Sequence, residues 1–70
     1  MNHVHQPVPV EARHDIRQPP SLIIRRGTPG EITNARGTGP TYYTVKFWPF
    51  GAKGATITIT DIRADDLRAA

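Results

Sequence analysis

The chain contains no cysteine, so neither a disulfide staple nor a thiolate zinc site can support it, and thiol nucleophiles are excluded. That absence fits a reducing cytoplasm, the expected location. There is also no run of about eighteen apolar residues, and no basic segment followed by an apolar stretch at the N-terminus. Those are the patterns of a membrane span and of a signal peptide, so a soluble, unsecreted chain with no membrane partner is expected. Aromatic residues are scarce. The one tryptophan, two tyrosines and two phenylalanines all fall between Thr41 and Gly51, so whatever the chain packs or binds is organised around that stretch.

Within Thr41 to Gly51, aromatic and β-branched residues alternate with period two, the signature of a half-buried strand. Tyr43, Val45 and Phe47 share one face, predicted to be core. Tyr42, Thr44, Lys46 and Trp48 share the other, and Pro49 ends the strand because it has no N–H to donate.

The first twenty residues hold four of the seven prolines and all three histidines, with little sustained apolar periodicity. Such a composition buries too little surface to offset ordering entropy. Residues 1–20 are therefore predicted to be a disordered tail and residues 21–70 the domain. The Pro-Val-Pro-Val segment favours an extended shape that a partner can bind. His3 offers one coordination site: with a free α-amine and two backbone amides its imidazole completes the square-planar nitrogen set preferred by Cu(II) and Ni(II). Any chain with histidine third shares this property, so it is read as incidental. No other metal site and no cofactor are expected.

A domain of about fifty residues is marginal without a disulfide or a metal, which points to support from self-association or a partner. From Ser21 the pattern predicts short strands separated by glycine-bounded turns. Leu22 to Arg26 is the first, and Gly27-Thr28-Pro29-Gly30 reverses the chain into Glu31 to Arg36. Gly37-Thr38-Gly39-Pro40 leads to the aromatic strand. No helix follows those glycines, which removes the phosphate-loop reading. Ala55 to Asp61 alternates strictly, with Ile57 and Ile59 inward and threonines outward. Asp61 to Arg68 is too short for an independent helix and reads as one helical turn and a last strand, with Ile62 and Leu67 closing the core.

Five short strands, one helical turn and short loops predict an all-β, five-stranded barrel. The segments Gly27-Thr28-Pro29-Gly30-Glu31-Ile32, Tyr43-Thr44-Val45-Lys46-Phe47, Ile57-Thr58-Ile59-Thr60 and Asp65-Asp66-Leu67-Arg68 resemble the SH3-like barrels of the KOW and Tudor type, and in particular short uncharacterised bacterial SH3-like domains. The resemblance covers residues 21 to 68. It implies an SH3-like barrel with a short helical turn before its last strand, and it leaves function open, because this fold hosts many activities. The plasmid-borne type II dihydrofolate reductases are similar in size and barrel. Their pore segment is Val-Gln-Ile-Tyr, whereas this chain has Thr-Ile-Thr-Ile-Thr at residues 56–60, so that activity is not expected.

No histidine lies beyond residue 20, so general-base chemistry has few candidates in the predicted domain. Asp61, Asp65 and Asp66 are read as turn caps or solvated groups. The expectation is a binding module rather than an enzyme. Its candidate surface combines Tyr42, Trp48 and Phe50 with the basic residues Arg25, Arg26, Arg36, Lys46 and Lys53. Exposed aromatics beside cations suit a protein partner or a second copy of the chain. The alternative is single-stranded DNA or RNA, held by base stacking and phosphate neutralisation.

Overall fold

The computed structural model describes residues 3–70, with side chains from Gln6 onward. Seven strands follow in order: β1 (His3–Ala12), β2 (Ile16–Gln18), β3 (Leu22–Ile24), β4 (Pro29–Arg36), β5 (Tyr42–Phe47), β6 (Ile57–Arg63) and β7 (Leu67–Ala69). A 3-10 turn, Ala64–Asp66, joins β6 to β7. The fold is all-β, with its single helical turn before the last strand, as the sequence predicts. Five strands form one antiparallel sheet in the order β6-β5-β4-β1-β7, curled into a half-barrel, while β2 and β3 pair as a separate hairpin. Among the described residues no helix is long and apolar enough to cross a membrane.

Alternation dictates the core. Val45 and Phe47 of β5 are fully buried, joined by Val10, Ala12, Ile16, Ile24, Ile59, Ile62 and Leu67. Leu22, Ile32, Tyr43 and Ile57 pack against them. Each fully buried aliphatic or aromatic side chain contributes about 1.5–3 kcal/mol.

The ordered chain does not begin at Ser21. Strand β1 lies inside the sheet, between β4 and β7, and Val10, Ala12 and Ile16 belong to the core. The prolines tolerate this because β7 pairs only with Val10, Glu11 and Ala12. Pro7 therefore lies where one flank of β1 is open, and Pro9 lies at the end of the β7 pairing, where only its carbonyl is used, accepting from Ala70 N–H at 3.5 Å; both are settings in which a strand tolerates a missing N–H. Pairing corrects a second expectation. Strand β3 pairs with β2 through Ile16↔Ile24 and Gln18↔Leu22, not with β4, which pairs instead with β1 and β5.

Two bulges set the inward residues where strict alternation fails. Between β5 and β6, Tyr43 faces Ile62 and Val45 faces Ile59, so β6 carries one extra residue against β5. The extra residue shifts the phase and turns Ile62 inward. Asp61 lies in this stretch with φ of 63°, a left-handed conformation that aspartate tolerates better than most residues. Strand β4 carries the second bulge, at Thr33: Ile32 faces Val45 and Asn34 faces Thr44.

Candidate functional site

The outer face of β4, β5 and β6 is where the predicted aromatic and basic residues meet. Register fixes the neighbours: Arg36 and Arg63 flank Tyr42 from β4 and β6, and Glu31 and Thr58 flank Lys46. The Arg36 guanidinium lies 5.4 Å and that of Arg63 5.8 Å from the centre of the Tyr42 ring. Farther along the strand the Lys46 ammonium lies 5.6 Å from the centre of the Trp48 ring. Cation–ring contacts of this kind contribute about 0.5–1 kcal/mol each at exposed sites. They lay the aliphatic stems of these long side chains along the sheet beside the rings.

Tyr42 and Trp48 are half-buried, and six strand steps of about 3.3 Å place them roughly 20 Å apart along β5. Trp48 is fixed at its end of the strand by its backbone N–H, which donates to Pro29 O at 2.9 Å. Beyond it, in the loop to β6, Phe50 is 72 % exposed. That figure separates Phe50 from the other rings, because so large an apolar surface gains nothing from the fold.

The predicted cations do not all gather here. Lys46 and Arg36 lie on the face, and Arg36 forms an ion pair with Asp61. Arg25 and Arg26 lie instead on the turn between β3 and β4, organised around Asp15. The Asp15 carboxylate accepts from Arg26 N–H at 2.8 Å and lies 4.0 Å from the Arg25 guanidinium. Lys53 is exposed in the loop before β6. Sequence reasoning missed Arg63, because the bulge in β6 that turns it onto the outer face leaves no mark in the alternation. On the face itself Arg36, Lys46 and Arg63 stand against Glu31 and Asp61, so the surface is mixed in charge.

His14 corrects the expectation that the ordered part has no histidine. Its Nε2 lies 2.7 Å from Asp66 Oδ1, and Asp66 Oδ2 accepts from Arg63 N–H at 3.3 Å. Asp66 thereby ties the 3-10 turn to the β1–β2 connection, which the Arg13 N–H reinforces by donating to Asp66 O at 2.9 Å. The copper or nickel set proposed at His3 involves Met1, Asn2 and the His3 side chain, which lie outside the described residues.

Two shallow depressions share Tyr43 and Ala64. One, of about 200 Å³, is apolar and lined in part by Val8, Ile32 and Leu67. The other, of about 260 Å³, is lined by Pro40, Thr41, Arg63 and Asp65. Both fall below the roughly 300–1,000 Å³ of small-molecule sites, so the extended outer face is the stronger candidate. No protein-family model, curated protein or solved structure matches the chain.

Proposed function

We propose that this chain is a small SH3-like barrel that acts without catalysis, as a binding module whose outer face on β4, β5 and β6 makes protein–protein contact. The strand order β6-β5-β4-β1-β7, with a 3-10 turn leading into the last strand, supports the SH3-like reading. The observation that carries the functional reading is the line of Tyr42, Lys46 and Trp48 along one strand with arginines at its end. Tyrosine, tryptophan and arginine are the residues that dominate protein interfaces, where they bury large areas and keep a polar handle. A mixed-charge face with Glu31 and Asp61 among its cations suits a protein surface better than a polyanion.

The second reading, single-stranded nucleic acid, is favoured by one feature: Arg63, Lys46 and Lys53 have no carboxylate within ion-pair distance among the described residues. It has to contend with a Tyr42 ring already flanked by two guanidiniums, which a stacking base must displace. Trp48 emission separates the two. On the protein-contact reading, single-stranded DNA and RNA leave the emission unchanged at low salt. Quenching whose log affinity falls with log salt at a slope near −2, the value for about three phosphates on a single strand, would overturn it in favour of nucleic acid.

A further inference from the structure

Strand β6 is a free sheet edge whose first half, Ile57 to Thr60, lacks the protections such edges normally carry. It pairs with β5 on one side only. Among the described residues no backbone hydrogen bond outside the strand ladders involves residues 57–60. Thr58 and Thr60 are exposed, and from Ala55 to Thr60 there is no charge and no proline. Edges are usually kept monomeric by short length, inward charge, proline or a bulge. The opposite edge follows that rule: β7 is three residues long, with Arg68 paired to Glu11. In β6 the only interruption is the bulge next to Asp61, which limits pairing to the residues before it.

From this we infer that β6 takes the β6 strand of a second copy of the chain, antiparallel, about a two-fold axis at Thr58. The sequence selects that axis. Centred on Thr58, Thr58 faces Thr58, Ile57 faces Ile59, and Thr60 faces Thr56, the residue immediately before the strand, so every pair joins like side chains on the same face of the sheet. A centre at Ile59 sets Ile57 against Asp61, whose backbone is left-handed. A centre at Ile57 sets Thr60 against Gly54, outside the strand. Cross-strand threonine pairs and β-branched pairs are each favourable, and an isologous contact of this form closes at two copies. Two five-stranded sheets then become one continuous sheet, and Ile57, only half-buried in one copy, is covered.

The axis runs perpendicular to the sheet, so both copies present their outer faces on the same side. Three strand spacings separate the two β5 strands, about 14 Å, and their Tyr42-to-Trp48 rows run in opposite directions. The pairing itself uses neither Tyr42 nor Trp48, so it stands or falls separately from the proposed binding role.

The test uses the full chain and introduces a charge at the exposed Thr58, which should leave each copy folded. Sedimentation should give a dimer for the unaltered chain. Thr58→Lys and Thr58→Glu should each raise the dissociation constant at least about tenfold, since like charges then meet at the axis. An equimolar mixture of the two should restore the dimer. Backbone amides of residues 57–60 should exchange more slowly as concentration rises. A monomer at high micromolar concentration, a dimer indifferent to both variants, or a mixture that fails to restore the dimer overturns the inference. A dimer dissolved by Trp48→Ala and untouched by Thr58→Lys overturns it too and places the contact on the outer face.

Discussion

Single residues in this fold carry constraints that their type alone does not announce. Gly30 is buried in β4, and a Cβ there would lie 2.8 Å from Phe47 Cδ1 and 2.9 Å from Lys46 O. The phenylalanine is fully buried and the carbonyl belongs to the sheet, so neither can withdraw. Gly30→Ala should therefore destabilise the chain by about 1–3 kcal/mol, the range for overpacking, read as a lower denaturant midpoint at unchanged slope. Asp61 makes the reverse case. Its φ of 63° costs an L-residue roughly 1–2 kcal/mol, so Asp61→Gly should change stability little, the relieved backbone offsetting the lost Arg36 pair. Asp61→Val should cost more than about 1 kcal/mol on the same ground, because a β-branched side chain is least tolerant of that conformation. Equal midpoints for the glycine and valine variants would contradict the assignment of the bulge.

At the level of elements, the aromatic strand and the Thr-Ile-Thr-Ile-Thr strand were fully legible, because each keeps period two across the residues that matter. Tyr43, Val45, Phe47, Ile57 and Ile59 all face the core as their spacing predicts. Strand β1 was not. Val8, Val10 and Ala12 do alternate, but four prolines and three histidines in the first twenty residues outweigh three small apolar side chains, and nothing local reveals that β4 and β7 will flank them. Ile62 and Leu67 close the core as expected, but the bulge that turns Ile62 inward was hidden, since a bulge is a property of two paired strands. For the candidate face, Tyr42, Lys46 and Trp48 could be placed from one strand alone. Assigning Arg63 to it, and Arg25 and Arg26 to the Asp15 turn, required the pairing of strands distant in sequence. Phe47→Ala, at the centre of the legible strand, should cost about 3–5 kcal/mol, and a smaller loss would mean that the core collapses around the cavity.

For the whole molecule, the N-terminal segment is part of the fold, so removing residues 1–19 should abolish it. The deletion takes out β1 from inside the sheet and Val10, Ala12 and Ile16 from the core. A truncated chain with the dispersed amide spectrum of the full one would refute this. On the proposed reading, the contact surface is the row from Tyr42 to Trp48. The direct measurement places a photo-cross-linking side chain at Thr44, between those rings, and separately at Thr38, on the turn before β5, in the full chain within cell extract. Protein adducts from the Thr44 probe that are lost with Trp48→Ala and scarce from Thr38 are the predicted result. Adducts that disappear on nuclease treatment, or equal protein adducts from both probes, would contradict a protein-contact face on β5.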